Sequence, residues 1–255
     1  MKQSVVIRGK IFPHTQETID SIRTWFDGEI ILSTWKDQEI NKLHGYSKIV
    51  LADDPGTGPI QQMKRQIVSY KNGLESANGE VILVTRSDMV HYTDPFYFFG
   101  KLQNKNEIFR IFEERIVIGN MMTIHPDRNC PGETNEQRYF RMNDWFQVGL
   151  KIDLEKWCNV LDIVEQNLSA NICTEQFWFA GCLKKYFDDS IDLNNLQKYK
   201  NFLWLSIVNN FRVLNTKSTL KAVNKNWENQ PENLICYLME HEYNNKFIEI
   251  FGDLS

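Results

Sequence analysis

The residues of this chain best suited to chemistry follow short apolar runs. Val81–Val84 gives way abruptly to Thr85, Arg86, Ser87 and Asp88. Val5–Ile7 ends in Arg8 and Gly9, Ile30–Leu32 in Ser33 with Asp37 just beyond, and Ile49–Leu51 runs into Asp53 and Asp54. Runs of this kind read as strands buried on both faces, as in a parallel sheet. In an open α/β sheet, ligands sit outside the carboxyl ends of such strands. One polar strand end is a solvated turn; four in succession describe a shared cleft for a polar ligand. Side chains alternate along an extended segment, so Arg86 and Asp88 share a face and Ser87 points away. A guanidinium matches two phosphate oxygens at once, and a carboxylate suits a hard cation such as Mg²⁺ or Mn²⁺. The plainer reading of the pair is a surface Arg–Asp ion pair of little worth.

Helices must separate these strands. Glu17–Phe26 carries Ile19, Ile22 and Phe26 on one side, and the segment after Pro59 repeats Ile60, Met63, Ile67, Tyr70 and Leu74 at helical spacing. Strand and helix in alternation predict βαβ units and an α/β fold with a mainly parallel sheet. Past Pro95 the rhythm changes. The pattern predicts a short helix at Phe96–Leu102, strands at Ile108–Phe112 and Ile116–Ile124, and a long polar loop from His125 to Asn135. A strand or its approach follows at Asn143–Gly149. A helix capped by Asp153 would carry Leu154, Trp157, Val160, Leu161 and Val164, and another would be capped by Thr174, with Glu175 in its first turn. Phe211–Leu214 reads as a further strand. His125 before Pro126 is a structural histidine more readily than a metal ligand. No low-complexity linker interrupts the chain, which reads as a single domain over residues 1–255. A donor-binding half spans 1–120 and an acceptor-side half 121–255.

Composition excludes several functions. The net charge of −4 leaves no basic field for nucleic acid. Neither G-x-G-x-x-G nor G-x-x-x-x-G-K-[ST] occurs, against a dinucleotide dehydrogenase or a P-loop enzyme. Five scattered cysteines without a C-x-x-C pair fit reduced thiols in a cytoplasmic protein. The 13% aromatic content suits a large core, or surfaces that stack on sugars. Tyr199–Val208, with Lys198, Lys200 and Arg212 nearby, fits either a core helix or a peripheral contact with an anionic membrane.

The strand order, the run Ala77-Asn78-Gly79-Glu80-Val81 and the Arg86-Ser87-Asp88 end resemble nucleotide-diphospho-sugar transferases of the GT-A fold. More narrowly, Met63-Lys64-Arg65-Gln66, Thr85-Arg86-Ser87-Asp88, Asp144-Trp145-Phe146 and Thr174-Glu175-Gln176 resemble the WavE lipopolysaccharide-synthesis family. The resemblance implies a glycosyltransferase that moves a sugar from a nucleotide-sugar donor to a lipopolysaccharide or capsular glycan acceptor. The expected location is the cytoplasm, with a peripheral position at the cytoplasmic face of the inner membrane as the alternative. With the strand-end clustering, the resemblance makes Arg8, Gly9, Asp37, Asp53, Asp54, Lys64, Arg65, Arg86 and Ser87 the expected donor contacts and Asp88 the expected metal contact. Glu175 is then the first choice of base and Asp144 the second. The Asp-x-Asp usual at this strand end in GT-A enzymes is altered here, because Arg86 stands at its first carboxylate. That cation can bind diphosphate itself, so weak Mg²⁺ or Mn²⁺ dependence is expected. The change keeps two other readings open: a non-catalytic nucleotide- or glycan-binding domain, and a metal-independent transferase using a CMP-sugar.

Overall fold

The computed structural model describes residues 1–120, 123–128, 139–167, 173–222 and 238–254. Strands β1 (Gln3–Arg8), β2 (Glu29–Trp35), β3 (Lys48–Ala52) and β4 (Val81–Arg86) form where the apolar runs predict them. They pair in parallel in the order β3-β2-β1-β4. Helix α1 (Thr15–Arg23) follows β1, and α2 (Pro59–Ser76) follows β3. Side-chain alternation divides the core between the two faces of the sheet. Val5, Ile7, Ile30, Leu32 and Leu83 meet Ile19 and Ile22 of α1. Val6, Ile31, Ile82 and Val84 meet Met63, Ile67, Tyr70 and Leu74 of α2.

A short strand β5 (Met89–His91) leaves the main sheet after β4. The sheet continues with β6 (Ile116–Gly119), β7 (Phe146–Leu150) and β8 (Phe211–Leu214), giving the full order β3-β2-β1-β4-β7-β6-β8. Strand β7 is antiparallel to both β4 and β6, and β8 is parallel to β6. Helices α3 (Lys151–Cys158), α4 (Leu161–Gln166), α5 (Thr174–Tyr186) and α6 (Lys200–Asn210) occupy the second half. After β8, the one-turn α7 (Thr216–Thr219) leads to β9 (Leu220–Ala222), which pairs antiparallel with β5, and α8 (Glu240–Phe251) follows. The aromatic content is largely core. Trp157 and Trp178 stack at 5.7 Å and 4°, and Phe179 meets Phe211 edge-on at 4.7 Å.

Several second-half elements differ from expectation. Ile108–Phe112 is not a strand, and β6 stops at Gly119. The helix expected at Phe96–Leu102 is a single 3₁₀ turn, Pro95–Phe98. The long helix from Asp153 breaks at Asn159 into α3 and α4. Asp153 does not cap it. Its carboxylate leaves the helix and accepts the Glu113 and Glu114 amides at 2.8 and 2.9 Å. Cys173, not Thr174, is the residue ahead of α5, with Gln176 Oε1 accepting the Cys173 amide at 2.9 Å. Within Tyr199–Val208, Leu203, Ile207 and Val208 of α6 are buried, as the core-helix reading requires. No helix among the described residues is long and apolar enough to cross a membrane. Most of the expected His125–Asn135 loop lies outside the described residues.

Candidate active site

The carboxyl ends of β1, β2 and β4, one face of α2 and the turn before β7 enclose a cavity of about 480 Å³. Arg8 and Arg86 are in-register partners at the last positions of β1 and β4. Neighbouring strands lie about 4.8 Å apart, so two guanidinium-bearing residues start side by side at the cavity floor. Gly9 takes φ +106°, a conformation costly for other residues, which turns the chain off β1 while its amide donates to Ser33 O at 3.0 Å. The Arg8 side chain is 3% exposed. Its Nη2 donates to the Asp144 carbonyl at 2.7 Å and lies 3.8 Å from the Asp144 carboxylate, and its guanidinium sits 5.4 Å over the Tyr70 ring. Its Nε is buried and has no hydrogen-bond partner among the described residues, and the same is true of Gln66 Oε1.

Arg86 grips Asp88 with two parallel hydrogen bonds, Nε to Oδ1 at 2.9 Å and Nη2 to Oδ2 at 2.7 Å. This is not the exposed pair of the plainer sequence reading, because the Asp88 side chain is only 3% accessible. Ser87 turns the other way and donates to the Lys10 carbonyl. On the opposite wall Arg65 holds Asp54 in the same two-pronged manner, and the Gly56 amide adds a third hydrogen bond at 3.0 Å.

The charges follow these contacts. Burial lowers the Arg8 pKa, opposed by Asp144 and reinforced by the adjacent Arg86. Burial works against the Arg86 charge too, but Asp144, Asp88 and Glu175 more than offset it, and its pKa is raised. Hydrogen bonds from Arg65 hold the Asp54 carboxyl below the usual range. Arg8, Lys10, Arg65 and Arg86 thus face Asp37, Asp54, Asp88 and Asp144 around one cavity. An incoming anion can exchange with a carboxylate for a guanidinium that is already in place.

Of the residues expected from sequence, Arg8, Gly9, Asp37, Asp54, Arg65, Arg86, Ser87, Asp88 and Asp144 line the cavity. Asp53 and Lys64 do not. Asp53 is exposed and pairs with Lys36 at 2.8 Å, and Lys64 pairs with Glu165 at 2.6 Å. Glu175 is also outside the lining; it sits in the first turn of α5, where its carbonyl accepts the Met142 amide at 3.4 Å. Its charge is nonetheless felt at Arg86. His125 is remote, edge-on to Trp204 and 4.0 Å from Glu242.

Sequence reasoning missed Gln62, Gln66 and Ser69, which line the same wall. The signal was present. Gln62, Arg65, Gln66 and Ser69 recur at i, i+3, i+4 and i+7, a polar stripe beside the apolar one of α2. The same spacing means that Lys64 and Arg65 cannot both face the cleft.

The donor set does not fit a resident divalent ion. Both Asp88 oxygens are engaged by Arg86, and a divalent cation there would displace or repel that guanidinium. Among the described residues, no three His, Cys, Asp or Glu side chains converge to hold a metal. Asp88 is the metal ligand expected from sequence, and here the arginine two residues before it holds both of its oxygens.

The site lies on a mixed α/β sheet, with a parallel β3-β2-β1-β4 block and β7 antiparallel beside β4. The chain belongs to the WavE lipopolysaccharide synthesis family, which matches residues 3–249. Membership ties the chain to lipopolysaccharide synthesis. No curated protein matches the sequence. Among solved structures it is similar to HddC from Yersinia pseudotuberculosis, with a TM-score of 0.36 and 11% identity over 62% of this chain and 80% of that one. It is also similar to S. aureus TarS (0.43, 14%, 98% of this chain and 42% of that one) and to apo GlyE of Streptococcus pneumoniae TIGR4 (0.40, 12%, 75% and 44%). The chain therefore spans less than half the length of the last two.

Proposed function

We propose that the strand-end cleft binds the diphosphate of a nucleotide-sugar donor and that the enzyme transfers the sugar to a hydroxyl of a lipopolysaccharide or capsular glycan. The observation that carries this reading is the side-by-side Arg8 and Arg86 at the floor of the cavity, one of them buried with an unpartnered nitrogen. A diphosphate oxygen can take the place of the Asp88 carboxylate on Arg86 and accept from Arg8 as well. In the transfer step, the acceptor oxygen bonds to the anomeric carbon. The bond from that carbon to the phosphate oxygen breaks with its electron pair, and the two arginines stabilise the charge developing there. The acceptor proton passes to a carboxylate. Asp144 lines the cavity and Glu175 does not, which supports Asp144 as the base ahead of Glu175. The short turn that carries Asp144 is held by Asn143 Oδ1, which accepts the Trp145 amide at 2.9 Å. The one sheet shared by both halves supports a single domain, with the donor on the β1–β4 side.

The commitment of Asp88 to Arg86 also favours a second reading, transfer from a CMP-sugar, whose monophosphate makes less demand on a metal. One assay tests both. The purified chain is incubated with UDP-, GDP-, dTDP- and CMP-sugars, and nucleotide release is followed with and without glycan acceptor. Acceptor-dependent release from a single class is the expected result. Binding of a nucleotide-sugar with no release under any condition would point to the non-catalytic alternative.

A further inference from the structure

A second cavity, of about 300 Å³, lies against the far edge strand of the sheet and shares no residue with the strand-end cleft. Arg212 of β8 is one of its walls, and β8 stands four strands from β1, roughly 19 Å at ordinary strand spacing. Tyr97, Phe98 and Lys101 come from the 3₁₀ turn and the segment after it, and Asn244 comes from α8. Three separate parts of the chain therefore converge on it.

Its polar groups are unused by the fold. Among the described residues, neither the Arg212 guanidinium, the Lys101 ammonium nor the Asn244 amide makes a side-chain hydrogen bond or ion pair. The two cations rest on aromatic rings instead, Arg212 at 5.4 Å from the Phe98 centroid and Lys101 at 4.1 Å from that of Tyr97. Among the described residues, no carboxylate lines the cavity. Arg212 is half-buried, and burial lowers its pKa, with Tyr243 and Glu240 the groups that oppose this most. A partly desolvated cation with no direct ion pair among the described residues is costly, and an anion placed between it and Lys101 would offset that cost. Tyr97 meanwhile keeps 64% of its surface exposed. An open aromatic ring suits the apolar face of a sugar, and a free amide suits its hydroxyls.

We propose that this edge cavity is a binding site for an anionic sugar, its carboxylate or phosphate between Arg212 and Lys101 and its ring against Tyr97. The site stands on its own residues and does not depend on the transfer reaction proposed for the strand-end cleft.

The test is calorimetric or NMR titration of the full chain with glucuronate, glucose 6-phosphate, glucose and inorganic phosphate. Comparison of the first two tells which anion is preferred. Either acidic sugar should bind at least ~10-fold more tightly than glucose or phosphate alone, and Arg212→Gln or Lys101→Gln should each weaken it by ~10-fold, the loss expected for one charged hydrogen bond. Lys101 is exposed, so its variant decides the matter if Arg212→Gln fails to fold. Unchanged affinity in Lys101→Gln overturns the proposal. So does phosphate binding as tightly as glucose 6-phosphate, since the aromatic wall would then contribute nothing. Loss of binding in Arg86→Ala, with both edge variants unaffected, would place the sugar in the strand-end cleft and also overturn it.

Discussion

In the block β3-β2-β1-β4, apolar alternation and a parallel backbone ladder put each strand in place, and the residues just past the strand ends fall into one cleft. The strands β7, β6 and β8 continue that ladder, but the segment leading into β6 is held by polar side chains far away in sequence. Segment 106–114 has its amides satisfied by side chains: Asn209 Oδ1 accepts from Asn106 at 3.1 Å, Asn210 Oδ1 from Ile111 at 2.7 Å, and Asp153 from Glu113 and Glu114. Asn210 Nδ2 also donates to the Phe109 carbonyl at 2.6 Å, across 101 residues. A segment held this way needs no strand partner, although its sequence reads as a strand. The comparison shows that a ladder places functional residues by default, whereas a side-chain clamp places them only while particular buried groups survive.

The comparison predicts where chemistry is lost. Asp144→Asn, at the turn joining the two regions, should lower kcat by ~10²–10⁴-fold, the range for a lost general base, while donor affinity changes little. Glu175→Gln, outside the cavity, should cost less than ~10-fold. Steady-state kinetics on both variants checks this, and the reverse ranking would return the role to Glu175.

Stability should divide the same way. Asn210→Ala strands several buried backbone groups of the clamp and should cost roughly 2–4 kcal/mol in chemical denaturation. Asn78 hydrogen-bonds Glu29 at the exposed rim of the ladder region, and Asn78→Ala should cost about 1 kcal/mol or less. Equal losses would break the distinction between clamp and ladder.

A smaller effect concerns pH. Burial lowers the His91 pKa to about 3, and Nε2 is 2.9 Å from Thr85 Oγ1. Between the ordinary value of about 6.5 and 3, the unfolded chain binds this proton and the folded chain does not. The stability is therefore fully present above pH 6.5 and declines as pH falls toward 3, by about 1.4 kcal/mol per unit from this group. His91→Gln should flatten that slope in a pH series of denaturation curves.

What was legible in the sequence follows the same division. The four parallel strands, α1, α2 and most of the strand-end cleft were readable because burial on both sheet faces leaves continuous apolar runs with polar ends. Gln62, Gln66 and Ser69 are readable as a helical stripe, but the adjacent charges of Lys64 and Arg65 mask it in the linear sequence. The clamp was not readable. That Asp153 would leave its own helix to serve residues 113 and 114, or that Asn210 would reach residues 109 and 111, depends on contacts fixed only by the folded chain. The pairing of Arg86 with Asp88 was half legible: alternation placed them on one face, but only the geometry shows both carboxylate oxygens engaged.

The central claim is that arginine, and not a metal held by Asp88, carries the donor phosphates. The direct measurement is donor turnover with and without EDTA, in the wild type and in Arg86→Ala. The account predicts that chelation changes wild-type turnover by less than ~3-fold and that Arg86→Ala lowers it by ~10²-fold or more, in line with the loss of a charged donor to the leaving group. Abolition of activity by EDTA, with Arg86→Ala still active, would contradict it and assign the phosphates to a metal bound at Asp88.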